Sequence, residues 1–109
     1  SSELNDLILY YLGYEFSVFV NKISSFAQKS VSERVALALL VLNEKFNDDP
    51  FKEMQLNFTR EDLASYIGTA TENLIRQLKL LKEARAISIQ GRKIVLEETD
   101  LLWEQAKIL

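Results

Sequence analysis

TREDLASYIGTATENLIRQLKLL, residues 59–81, decides the fold, because it reads as two short helices joined by a glycine turn. Leu63, Ala64 and Ile67 give the first helix an apolar face, and Gly68 ends it. Leu74, Leu78 and Leu81, spaced four and three apart, give the second helix a face of its own. Helices this short must cross tightly. Ala64 is small where the partner helix presses closest, and Gly68 can take the left-handed conformation that turns the chain at once. The result is a helix-turn-helix. Its second helix, expected over about 70–82, exposes Thr71, Glu72, Asn73, Arg76 and Lys79, residue types that address base edges and phosphates.

Thr59 is the expected N-cap of the first helix, with Asp62 three residues on. Before it, Gln55 to Phe58 alternates polar and apolar as a short strand does. After the second helix, Ala86 to Ile89 and Lys93 to Leu96 are β-rich runs around Gln90-Gly91-Arg92, a hairpin over 87–96 that forms a wing. The three strands predict a small antiparallel sheet. Thr99 is read as the cap of a last helix, Asp100 to Lys107, with Leu101, Leu102, Trp103 and Ile108 for packing. Upstream, Ser30-Val31-Ser32-Glu33 has the form of a capping box and starts a helix running to about Phe46, with Val35, Leu39, Leu42 and Phe46 toward the core. Asn47 to Pro50 reads as a solvated turn rather than a calcium loop, since its carboxylates lack EF-hand spacing.

Residues 3–28 read as one long helix. Leu9, Leu12, Phe16, Phe19, Ile23 and Phe26 alternate three and four apart, a heptad seam, while Leu4, Leu7, Ile8, Tyr11, Tyr14 and Val18 run beside it. A helix this apolar needs a cover, and a parallel helix from a second copy, an absent domain and its own winged domain are the candidates. Gly13 in mid-helix costs about 1 kcal/mol relative to alanine, which a close helix contact would offset. A hinge is expected near Gln28 to Ser30.

The 109 residues, 48% apolar, suit one compact domain with an appended element. The absence of cysteine removes disulfides and thiolate metal sites, and the absence of histidine removes the commonest general base and zinc ligand. No two carboxylates are placed as an acid–base pair, so an enzyme is the weakest reading and no catalytic residue, metal or cofactor is expected here. The longest apolar run, Val35 to Leu42, is eight residues, against the roughly twenty that a membrane helix needs, so no membrane partner is expected. No leader opens the sequence and a cytoplasmic protein is expected; Ser1-Ser2 without methionine suggests a piece of a longer one. The net charge of −3 hides an asymmetry. Thr59 to Lys93 holds seven basic against four acidic side chains, and the remainder six against twelve.

Strand, helix-turn-helix and wing, following a long helix and a hinge, resemble the C-terminal part of a Crp/Fnr-family bacterial transcription regulator. SVSERVALALLVL, MQLNFTREDLASYIG, TENLIRQLKLLKE and AISIQGRKIVL carry the resemblance. It implies a mainly α (α+β) architecture, with residues 1–28 as a dimerisation helix using the seam above, and 29–109 as a winged helix-turn-helix DNA-binding domain. The family's β-roll sensor has no counterpart in this sequence, and its effector stays open, since cyclic nucleotides, oxygen through an iron–sulfur cluster and haem ligands all occur among relatives. The implied partners are double-stranded DNA bearing an inverted repeat, a second copy of the chain, and RNA polymerase.

The family's recognition helix commonly opens R-E-T-V-x-R, where this chain has Thr71-Glu72-Asn73-Leu74-Ile75-Arg76. The resemblance makes Thr71, Glu72, Asn73, Ile75 and Arg76 the candidate base contacts. The chemistry agrees for the two matching residues: arginine donates twice to guanine O6 and N7, and a carboxylate accepts from cytosine N4. The competing reading is a Glu72–Arg76 ion pair worth about 0.2–0.5 kcal/mol. Thr71 stands where many members have arginine, Ile75 where they have a small residue, so that it either meets a thymine methyl or packs, and Ala70 where they have serine or threonine, with Thr69 and Thr71 beside it as candidate caps. The resemblance likewise implies phosphate contacts from Thr59, Arg60, Thr69, Lys79, Arg92 and Lys93. A reading of another class is a winged-helix protein-interaction module that docks through the apolar N-terminal helix. Convergence of Arg60, Arg76 and Arg92 on one positive face separates the two.

Overall fold

The computed structural model describes residues 2–23, 29–47 and 54–107. Along the chain run α1 (Ser2–Ile23), α2 (Val31–Phe46), β1 (Met54–Asn57), α3 (Arg60–Ile67), α4 (Thr71–Glu83), β2 (Ile87–Gln90), β3 (Lys93–Leu96) and α5 (Thr99–Ala106). Phe26, the hinge around Gln28 and Asp48 to Pro50 lie outside the described residues, as do Ile108 and the side chain of Ile23.

The buried face of α2 organises the domain. Val35, Ala36, Ala38, Leu39 and Leu42 have no exposure, and α2 packs against α3, α4, α5 and β1. A fully buried leucine contributes about 1.5–3 kcal/mol, so this helix supplies much of the core. Its start is the expected capping box: the Glu33 amide donates to Ser30 Oγ at 3.2 Å, and the Ser30 amide donates to the Glu33 carboxylate at 3.0 Å. Those hydrogen bonds hold the Glu33 carboxyl below its ordinary pKa. Phe46, expected in the core, is half exposed and meets Phe58 edge-on at 5.5 Å.

The sheet is antiparallel, in the order β1-β3-β2, with Leu56 opposite Ile94 and Ile89 opposite Ile94. Gly91 turns the β2–β3 hairpin at a φ of 63°. At the C-terminal end the cap differs from expectation. Thr99 lies inside α5, and Glu98 occupies the cap position without a side-chain hydrogen bond. The helix is fixed instead at its other end, where Lys29 donates to the Ala106 carbonyl at 2.7 Å and Gln105 donates to the Ser32 carbonyl at 2.9 Å. Leu102 is buried, whereas Leu101 and Trp103 stay partly exposed.

The long helix corrects the sequence reading most. Leu9 and Phe16, expected on a seam with a second copy, are only 3% exposed because α1 lies on α3 of its own domain, and Leu12 packs partly against the same core. Phe16 stacks on Tyr66 with ring centroids 4.8 Å apart. Gly13 lies at this contact, where a Cβ would stand 3.4 Å from Tyr66 Cα, at the edge of ordinary van der Waals distance, so the approach does not depend on the missing side chain. Burial, with Glu15 nearby, raises the Tyr66 phenol well above its usual pKa, and its hydroxyl has no hydrogen-bond partner among the described residues. Leaving it unsatisfied costs about 1–3 kcal/mol and offsets part of what the stacking contributes. The face left outward is the second stripe, where Leu7, Tyr11, Tyr14 and Val18 are between 39% and 71% exposed, joined by Phe19 of the expected seam at 44%.

Candidate nucleic-acid interface

The site begins with the turn that sets α4 against α3. Thr59 caps α3, its Oγ1 accepting from the Asp62 amide at 3.1 Å, which leaves the hydroxyl proton free for an outside acceptor. Gly68 closes the helix at a φ of 80°, and the Thr69 amide reaches back to the Ala64 carbonyl at 3.0 Å. The Ile67 carbonyl left over at this end is taken by Arg34 of α2, whose Nε donates to it at 3.2 Å with Nη2 alongside. Sequence reasoning missed this residue. Its only signal is a lone arginine beside the eight-residue apolar run of Val35 to Leu42.

From that turn α4 projects with Leu74, Leu78 and Leu81 buried beneath it. Ala70 makes no side-chain cap, and neither flanking threonine replaces one, so the first amides of α4 are left to an external acceptor. The outer face carries the expected set. Glu72 and Arg76 are exposed, Thr71 and Asn73 half-buried, and Ile75 is 51% exposed. Glu72 and Arg76 do not pair with each other, whereas Lys29 and Glu33, at the same spacing on the chain, do so at 3.9 Å. Neither α4 side chain is engaged among the described residues, and the ion-pair reading loses its support.

The wing is tied to this frame by two arginines expected to hold phosphates. Arg60 donates from Nη1 to the Arg92 carbonyl at 3.0 Å and from Nη2 to the Gly91 carbonyl at 3.2 Å. Arg92 donates from Nε to Asn57 Oδ1 on β1 at 2.9 Å. Part of each guanidinium is thus spent inside the protein, and Asn57 is a bracing residue that the sequence did not single out. Burial lowers the Arg60 pKa, though an arginine stays charged at any ordinary pH. Lys93 is exposed at the start of β3, opposite Gln90 and Asn57.

The braced wing and α4 enclose a groove of about 310 Å³ lined by Arg60, Ile75, Leu78, Lys79, Lys82 and Ile89. Among the described residues its lining holds three cations and no acid. Arg60 belongs to both the groove and the wing tip, so the basic side chains of α3, α4 and the wing meet there, and Arg76 stands three residues from Lys79 on α4 outside the groove lining. Such a face attracts polyanions even on a chain of net negative charge. Among the described residues no His/Cys/Asp/Glu group could hold a metal ion, and no helix is long and apolar enough to cross a membrane.

Comparison with known proteins points the same way. A family model described as the Crp-like helix-turn-helix domain matches residues 33–104. The fumarate nitrate reduction regulatory protein of Klebsiella oxytoca is 29% identical over 82 residues, covering 73% of this chain and 33% of its own length. The chain thus spans about a third of the length of the curated relatives it matches. Among solved structures, a CRP/FNR-family transcriptional regulator from Thermus thermophilus has a TM-score of 0.68 at 26% identity, over 80% of this chain and 45% of that one. The catabolite activator protein of the same organism has a TM-score of 0.61 at 27% identity, over 71% of this chain and 34% of that one.

Proposed function

The chain belongs to the Crp-like helix-turn-helix domain family, and from that premise we propose that it binds double-stranded DNA sequence-specifically as the output domain of a dimeric bacterial transcription regulator. The observation that carries this reading is the convergence of α4, the first turn of α3 and the wing on one basic face. A protein-interaction module has no need of it. In the proposed mode α4 enters the major groove, with Arg76 donating to guanine O6 and N7, Glu72 accepting from cytosine N4, and Thr71, Asn73 and Ile75 contacting neighbouring base edges. Thr59, Thr69, Lys79 and Lys93 hold backbone phosphates, joined by the nitrogens that Arg60 and Arg92 do not spend on the wing.

Two copies place their recognition helices about 34 Å apart, in successive major grooves of an inverted repeat. Since Leu9 and Phe16 are occupied within the chain, the pairing face we assign is Leu7, Tyr11, Tyr14 and Val18, which share the alternation of four and three that a parallel two-helix seam requires. Signal detection and any contact with RNA polymerase belong to the intact regulator. A signal acts there by shifting the population between competent and incompetent arrangements of the two heads.

Selection from a random duplex library tests the proposal. We expect enrichment of an inverted repeat with half-sites centred about 10 base pairs apart. Enrichment of no sequence by a demonstrably folded chain overturns it, and directs attention to α1 as a protein-docking helix.

A further inference from the structure

We propose that the groove between α4 and the wing is a seat for the sugar-phosphate backbone of DNA, in which Lys82 is a phosphate contact; this rests on the DNA-binding reading above and extends the footprint beyond α4. Lys82 is absent from the contacts expected on sequence grounds. The wing makes the difference, because its position decides which flank of α4 faces a ligand. With the wing braced by Arg60, Lys79 and Lys82, three residues apart, line one wall of the groove. Neither lysine has a hydrogen bond or ion pair among the described residues, and Glu83, next in sequence to Lys82, does not line the groove. Two exposed ammonium groups lining one concavity add their positive potential there, which an anion seated between them would meet.

The floor narrows the choice of anion. Ile75, 51% exposed, and half-buried Ile89 present the apolar surface beneath the cations, while Leu78 behind them is only 1% exposed. An apolar floor under a basic rim matches deoxyribose carbons below and phosphodiester oxygens above. Arg60 has committed Nη1 and Nη2 to the wing tip, so it holds the groove open, and the lysines supply the mobile donors. A free inorganic phosphate presents the same kind of anionic oxygens as the phosphodiester but has no use for the floor.

The test is a salt titration on an enriched duplex with Lys82→Gln, Lys82→Arg and, as a control away from the groove, Lys45→Gln. Lys82 is exposed on α4, so these variants keep the fold, which thermal melting verifies. Lys82→Gln is expected to weaken binding several-fold at unchanged base preference and to reduce the slope of log K against log salt by about 0.9 for each copy bound. Lys82→Arg should retain the wild-type slope, and Lys45→Gln should leave it unchanged. Neutral methylphosphonates placed singly along the flanks then locate the contact: one position should weaken the wild type and have no further effect in Lys82→Gln. The assignment is overturned if the slope is unchanged in Lys82→Gln while the wild type binds its site, or if no methylphosphonate couples to residue 82. Saturable inorganic phosphate binding that depends on Lys82, with no duplex phosphate coupled to it, would make the seat a free-anion site. A folded wild type that binds no duplex refutes the DNA-binding reading and the seat together.

Discussion

Gly68→Val is expected to lower the free energy of unfolding by about 2–4 kcal/mol and to abolish site selection by the protein that remains folded. Two causes act at one carbon. The φ of 80° at residue 68 is a left-handed conformation that costs a non-glycine residue about 1–2 kcal/mol, and β-branching worsens it. A Cβ there would also stand 2.9 Å from Arg34 Nη2. The guanidinium can swing aside cheaply, but only by giving up the Ile67 carbonyl, a charge-assisted hydrogen bond worth about 1.5–3 kcal/mol. Denaturant titration of Gly68→Ala, Arg34→Ala and the double variant separates the two. With Arg34 already removed, Gly68→Ala should cost only the backbone strain, so the single effects sum to more than the double. Because this turn fixes the angle of α4 against α3, its failure should be felt in recognition as well as in stability.

Arg76→Ala should cost about 1–3 kcal/mol of affinity for the preferred site, and the loss should be concentrated at one base pair. Arg76 is exposed on α4 and pairs with no carboxylate among the described residues, so removing it leaves no buried charge and no altered packing. Folding should be unchanged. Binding of all four base pairs at the contacted position, measured for both proteins, checks this: the wild type should prefer one, and Arg76→Ala should bind the four within a few tenths of a kcal/mol. Equal weakening across every sequence would mark Arg76 as a phosphate contact instead.

What was legible in the sequence was local. The caps at Ser30 and Thr59, the left-handed turn at Gly68, the leucine face of α4 and the glycine hairpin at Gly91 each depend on a few neighbouring residues, and each stands as read. The face of α1 was not legible. Two apolar stripes with the same alternation of three and four compete on that helix, and nothing in the spacing says which one docks. Tyr66 of α3 decides it, more than forty residues away, by stacking on Phe16 and lying beneath Gly13. The arginines show the same limit. Sequence assigns Arg60 and Arg92 a charge and a neighbourhood, but the carbonyls and the asparagine they hold are over thirty residues distant, so their role in bracing the wing depends on the fold. Lys82 lies beyond the sequence for the same reason, since the wing that gives its flank of α4 a purpose follows later in the chain.

The central claim is that α4 reads base edges in the major groove through Arg76. The most direct measurement replaces each guanine of the enriched site in turn by 7-deazaguanine, which lacks the N7 acceptor, and compares binding by the wild type and Arg76→Ala. One guanine per half-site should weaken the wild type and leave Arg76→Ala indifferent, because the variant no longer has a donor to lose. If every substitution affects the two proteins alike, Arg76 does not read guanine N7, and the claim that α4 reads bases through Arg76 fails.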